Sequence, residues 1–230
     1  MPKSLQPAVG RRSRPSDSDA RGQLLDVAIA LFAQRGIANT TVAQIAAAGH
    51  VTSAMVHYWF DTRERLLDAI VEERLAPRFF AVWDPADVEH GASLDLVQGI
   101  VHRMFEVTAD APWLPSLWLR EIVNEGGLLR ERALRHIPVK KAVAFGQNIA
   151  RGRQRGEVRE GIEPLLLFNS ILALVMLPQA TAKIWRRINP TLTLDRATLE
   201  RHVLALLMHG IANGGTGAAR CRPGRARRAS

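Results

Sequence analysis

The chain has 230 residues, 47% of them hydrophobic, which is ample for a packed core and too apolar for a disordered chain. Its net charge of +9 is concentrated at the ends: residues 1–22 carry +3 and residues 215–230 carry +5, leaving +1 for the 192 residues between them. The single cysteine, Cys221, lies in the basic tail, so a disulfide framework is excluded and a reducing cytoplasm is expected.

Residues 1–20 are rich in Pro, Ser and Arg, lack an apolar signal segment and read as a flexible basic arm. A helix is predicted from about Arg21 to Arg35, with Leu24, Ala28, Leu31 and Phe32 at helical spacing and Gly36 as its left-handed cap. A second helix should start after Thr41, whose hydroxyl and Gln44 form a Thr-x-x-Gln capping box, and end near Ala48 at the Gly49-His50 turn. Thr52 caps a third helix, Ser53 to Phe60; Asp61 is expected to cap a fourth, with Glu64 three residues on. Beyond Pro77 the predicted helices are 93–109, 115–126, 128–135, 138–155, 163–186 and 195–213, without a convincing strand or repeat. The longest apolar run, Leu165 to Leu177, is interrupted by Asn169 and Ser170 and falls short of the roughly 20 residues that span a bilayer, so no membrane is expected.

The third helix carries the most informative residues. Val42, Ile45, Val51, Val56 and Phe60 form a small core joining it to the second helix, and Ala46, Ala47, Ala48 and Ala54 are expected to keep their crossing close. This leaves Thr52, Ser53, Met55, His57, Tyr58 and Trp59 with few inward positions. Hydroxyl and imidazole groups bond phosphate oxygens or base edges, and Met and aromatic faces touch thymine methyls, so the row suits a DNA groove. The core alternative stays open for Met55 and, in part, for Trp59.

From Thr40 to Leu67 the segment TTVAQIAAAGHVTSAMVHYWFDTRERLL resembles the N-terminal domain of the tetracycline-repressor (TetR/AcrR) family of bacterial transcription regulators, a likeness covering about residues 21–70. The resemblance implies an all-α homodimer with a three-helix helix-turn-helix domain at 21–70 and a helical ligand-binding and dimerisation domain at 71–213; the Gly/Arg-rich residues 214–230 read from their composition as a disordered basic tail. It implies a ligand-responsive repressor that binds a palindromic operator in double-stranded DNA and is released by an unidentified small-molecule effector. By matching positions, Thr41 and Gln44 approach the DNA backbone, Thr52, Ser53 and Met55 meet bases, and His57, Trp59 and Arg63 grip phosphate, with Tyr58 on the same exposed row. Three positions depart from the family pattern. His50 stands where Gly is usual, His57 replaces the common Tyr and Ser53 lacks the Lys often found there. A protonated His57 ring would bind phosphate more strongly. Between Gln23 and Leu67, Arg35, Arg63 and Arg65 face Asp26, Asp61 and Glu64, so Arg11, Arg12 and Arg14 of the arm are expected to add the missing attraction, in the minor groove.

In the second domain Trp113, Trp118, Arg120, Glu121, Asn124, Phe145, Asn148, Phe168, Met176 and Trp185 combine apolar surface with a few polar groups, as a ligand pocket does and as an ordinary helical core also does. The segment 165–177 is apolar around most of its circumference, and the last helix sets Leu199, Val203, Leu206, Leu207 and Gly210 along one stripe beside His202 and His209, a pair suited to a four-helix dimer interface. The histidines have no zinc spacing, HExxH and GxSxG are absent, and GIANGGTG follows a helix instead of a strand, so no metal, cofactor or enzyme activity is expected. The alternative is a helical adaptor that docks a protein through Tyr58 and Trp59 without DNA.

Overall fold

In the computed structural model, residues 17–84, 88–191 and 195–212 are described. Arg11, Arg12 and Arg14 of the expected arm, and the tail from residue 214, lie outside them. The described residues are helical, without strands; Val158 and Ala212 form one isolated bridge.

Helix α1 (Asp17–Arg35) begins four residues before its expected start, with Asp17 and Asp19 in the first turn, where carboxylates favour the helix dipole. Its buried stripe of Leu24, Leu25, Ala28, Ile29 and Phe32 is the floor of the N-terminal region. The helix stops at Gly36, whose φ of +85° suits a residue without Cβ and whose amide bonds Phe32 O at 2.8 Å.

Helices α2 (Val42–Ala48) and α3 (Ser53–Phe60) follow. The capping box is present in both directions, with Gln44 N donating to Thr41 Oγ1 at 3.2 Å and Thr41 N donating to Gln44 Oε1 at 2.9 Å. Thr52 caps α3 through Met55 N at 3.2 Å. His50 sits in the intervening turn at φ +55°, the left-handed region that accounts for a Gly being usual there. The alanines behave differently from expectation. Only Ala46 is buried; Ala47, Ala48 and Ala54 face outward. A tight contact is found at Gly49, against α1: an added Cβ would lie 2.5 Å from Leu24 Cδ1. A seven-residue helix has one inward stripe, and Ile45 and Ala46 fill it.

Helix α4 (Arg63–Ile70) is capped by Thr62, which accepts from Arg65 N at 3.2 Å, and not by Asp61. Asp61 terminates α3 at φ +59°, with its amide on His57 O, so its backbone lacks the extended conformation an N-cap needs. The helix runs through a π-helical turn, Val71–Leu75, into α5 (Ala76–Ala81). Pro77 explains the wide turn: without an amide hydrogen it cannot serve the carbonyl of Glu73, and the ladder shifts so that Ala76 N bonds Val71 O.

The C-terminal part comprises α6 (Ser93–Asp110), α7 (Leu114–Leu117) with a π-helical continuation Trp118–Val123, α8 (Arg130–Leu134), α9 (Val139–Gln154), α10 (Pro164–Ala180), α11 (Ala182–Ile188) and α12 (Arg196–Ile211). The predicted helix 163–186 is two helices, α10 and α11, bent by 57°. Helix α10 buries Leu167, Ile171, Val175 and Met176, but Leu165, Leu166 and Leu177 are exposed, so in a single chain its burial is one-sided. Helix α12 turns Leu199, Val203, Leu207 and Ile211 inward; Leu206 and Gly210, expected on that stripe, lie outside it with His202 and His209. No single helix among the described residues is long and apolar enough to cross a membrane.

Candidate nucleic-acid interface and the adjoining cavity

The geometry of α3 follows from two anchors. Val56 and Phe60 are 2% and 4% exposed, one turn apart, and fix the rotation of the helix about its axis. Thr52, Ser53, His57 and Tyr58 consequently face solvent, Tyr58 with 72% of its surface open. Met55 and Trp59 are half-buried at the flanks of this row. Trp59 packs on the core and donates its indole N–H to Asp17 Oδ1 at 3.1 Å, so the donor expected to hold phosphate is engaged with α1.

The other expected phosphate contacts divide in the same way. His57 Nδ1 lies 2.9 Å from Asp61 O. A carbonyl oxygen can only accept, so Nδ1–H donates to it and Nε2 is the ring nitrogen left uncommitted. Arg63 donates through one terminal nitrogen to Thr40 O at 2.7 Å and through the other to Ile37 O, and is half-buried. Its guanidinium fork ties α4 to the α1–α2 loop instead of standing free. Thr41 and Gln44 are exposed, and their mutual bonds use only the hydroxyl oxygen and the amide oxygen. The Thr41 hydroxyl proton and the Gln44 NH2 group therefore point no obligation inward and can donate to phosphate. Exposed Arg65, on the first turn of α4, is a cation that sequence spacing did not single out.

The α1–α2 loop is gripped from the other side by a residue of the C-terminal part. Glu121, 5% exposed, accepts from Ile37 N at 3.0 Å through Oε1 and from Leu128 N at 3.2 Å through Oε2. Both oxygens of this buried carboxylate thus have an amide donor. An acid inside the apolar run WLREIV was the only sequence signal for it, and that signal pointed equally to a pocket.

Beside this link lies a cavity of about 240 Å³ between α5, α6, α7, α9 and α10. Trp118, Phe168 and Met176 line it, together with Arg78, Phe79, Trp83, Met104 and Leu114, which sequence reasoning did not select. The remaining expected pocket residues lie elsewhere. Phe145 is fully buried behind the wall, edge-on to Trp83 and Phe168. Trp113 is outside the lining and stacks under the Arg78 guanidinium, 5.1 Å from its ring centre. Asn148 is a structural group: it accepts from Ser93 Oγ at 2.8 Å and donates to Gly91 O at 2.8 Å. Arg120 and Asn124 border a separate, more open recess with Ser116, Leu119 and Ala180. Trp185, on α11, is 46% exposed. Among the described residues no cluster of His, Cys, Asp or Glu could hold a metal ion.

Known proteins share the pattern of the N-terminal region and the fold. A family profile described as bacterial regulatory proteins, tetR family, matches residues 24–70. The HTH-type transcriptional repressor KstR2 of Rhodococcus jostii is 43% identical over 54 residues, 24% of this chain and 26% of that protein. The chain thus spans about a quarter to two fifths of the length of the first curated relatives it matches. Among solved structures, the ketosteroid transcriptional regulator KstR2 of Mycobacterium tuberculosis has a TM-score of 0.65 at 21% identity, over 84% of this chain and 94% of that one. The transcriptional regulator FadR of Bacillus subtilis, in complex with stearoyl-CoA, has a TM-score of 0.60 at 20% identity, over 83% and 98%. At these identities the structural likeness is one of fold.

Proposed function

Because the chain belongs, through residues 24–70, to the tetR family of bacterial regulatory proteins, we propose that it is a cytoplasmic transcriptional repressor that binds a palindromic operator as a homodimer and leaves it when a small molecule fills the cavity. The observation that carries the reading is the outward row Thr52, Ser53, His57 and Tyr58 on a helix locked by Val56 and Phe60. Such a row enters a major groove with its N-terminal residues at the base edges and its flanks on phosphate. Two copies related by a two-fold axis would set their α3 helices roughly 34–36 Å apart, one turn of DNA.

The cavity and the headpiece are joined through short steps. Trp118 and Leu114 line the cavity, Glu121 follows in the same π-helical segment, and its carboxylate holds the loop that Arg63 holds from α4. An occupant that favours a displaced Trp118–Val123 segment would displace that loop, and lowers operator affinity by its own difference in affinity between the two arrangements. FadR, of the same fold, holds stearoyl-CoA, which supports a small molecule as the signal.

The test is direct. Duplexes selected from a random pool by the purified protein should share an inverted repeat, and binding should weaken steeply with salt. Absence of salt-dependent duplex binding would favour the adaptor that docks a protein through Tyr58 and Trp59.

A further inference from the structure

We propose that the cavity takes an amphiphilic organic acid, with its apolar body against Trp83, Phe168 and Trp118 and its anionic head paired with Arg78. The inference rests on the regulatory reading above and adds the chemical class of the effector. It starts from the composition of the wall. Arg78 is the one charged residue among those that line the cavity. Thr108 already donates its hydroxyl proton to Phe105 O at 3.1 Å, and most of the other lining residues are aromatic or aliphatic.

The aromatic groups define where the body goes. Trp83 and Phe168 lie with centroids 4.7 Å apart at 31°, and Phe79 meets Trp118 edge to face at 5.7 Å. Such walls hold alkyl chains or fused rings without hydrogen bonds. A neutral, purely apolar ligand would satisfy them but would bring no partner to Arg78, the charged residue of the wall.

Arg78 has reason to want an anion. It is half-buried and gives one guanidinium nitrogen to Arg74 O at 2.6 Å while its plane lies over Trp113. Among the described residues no carboxylate is within hydrogen-bond reach of it; Asp26 and Asp110 attract it only at longer range. Burial, followed by the neighbouring Arg74 charge, pulls its basicity below the usual arginine range. An anion brought in by a ligand relieves both costs at once and gains a charge-assisted bond of fork geometry. An ammonium amphiphile would add a third positive charge to the same corner.

The experiment follows the quenching of Trp83 and Trp118 fluorescence by four probes: dodecanoate, dodecanol, 1-pyrenebutyrate and 1-pyrenebutanol. Each acid should bind at least about tenfold more tightly than its alcohol, some 1.4 kcal/mol. Which acid binds better tells a chain from a fused-ring body. In Arg78→Met, which keeps the stem over Trp113, the preference of acid over alcohol should vanish while the alcohols bind as before. Arg78→Lys, retaining the charge, should keep most of it and guards against a merely structural effect. Equal binding of acid and alcohol to the unaltered protein, or an acid preference that survives Arg78→Met, overturns the proposal. Operator binding without ligand is measured alongside. DNA binding with no acid preference refutes the effector class alone, and acid preference without DNA binding refutes the regulatory role alone.

Discussion

At the scale of single residues, side chains with the same expected role separate by what their polar atoms already hold. Thr52 and Ser53 are exposed at the start of α3, and among their side chains only the Thr52 oxygen has a cap to serve. Ser53→Ala is therefore expected to change base preference at one position of the half-site, by about 1–3 kcal/mol for the affected base pair, when binding to a panel of half-site variants is measured. Parallel weakening of every variant would remove Ser53 from the base-reading group. For His57 one ring nitrogen is already committed. With Nδ1–H on Asp61 O, the ring presents Nε2 outward, so His57→Ala is expected to weaken binding to every half-site variant alike, measured on the same panel. Arg63 differs again. Its two carbonyl bonds make Arg63→Ala primarily a folding mutation, expected to lose about 1.5–3 kcal/mol of stability by denaturant unfolding and to leave the salt slope of DNA binding unchanged.

At the scale of elements, the N-terminal helices depend on local caps and a few distant clamps. Thr41, Thr52 and Thr62 each cap a helix of seven or eight residues, too short to be stable alone. Their placement was legible in the sequence for the first two because a capping hydroxyl and its partner lie three residues apart. The third was misplaced by one residue, since Asp61 is an equally good cap by composition and only its backbone conformation disqualifies it. The clamp between α1 and the π-helical turn is a paired bond, Arg21 donating to both Glu73 oxygens at 2.7 and 2.8 Å, with the guanidinium 4.8 Å from the Phe60 ring centre. The hydrogen bond from Arg21, more than its charge, draws the Glu73 carboxyl below the usual range. A depressed carboxylate contributes stability above its unfolded value and loses it as pH falls through the folded one. Because both groups are about a third exposed, the contribution is small, about 0–1 kcal/mol. Arg21→Met should thus lower the thermal midpoint slightly at neutral pH, and the difference from the unaltered protein should fade in acid, as calorimetry across pH would record.

At the scale of the whole molecule, the unpartnered surface lies on α10 and α12. Leu166, Ser170, Ala173 and Leu177 follow one another at helical spacing on the outer side of α10, and Ala205, Leu206 and Gly210 do so on α12, with His202 and His209 at the edge. An exposed apolar face built from two adjacent helices fits the two-fold four-helix interface of the proposed dimer. Introducing charge there, Leu177→Asp with Leu206→Asp, is expected to give a monomer in sedimentation equilibrium, with unchanged helical content. Affinity for the full inverted repeat should fall by at least tenfold, since each half-site then binds alone. A double variant that stays dimeric would move the interface elsewhere.

The sequence by itself determined most of the helices, the caps of α2 and α3, the turn at Gly49-His50 and the outward positions Thr52, Ser53, His57 and Tyr58 on α3, because each depends on neighbours within about one helical turn and on a period of 3.6 residues. Only the tertiary structure decided which polar atoms were left over for a ligand. Trp59 meets Asp17 across 42 residues, Arg63 meets Ile37 across 26, and Ile37 meets Glu121 across 84. No pattern of local spacing encodes such pairings, so Trp59 and Arg63 read as phosphate contacts and Glu121 as part of a pocket until packing supplied their partners. The cavity wall was only partly legible for the same reason: whether an aromatic ring faces a void or another ring is settled by the helix opposite it.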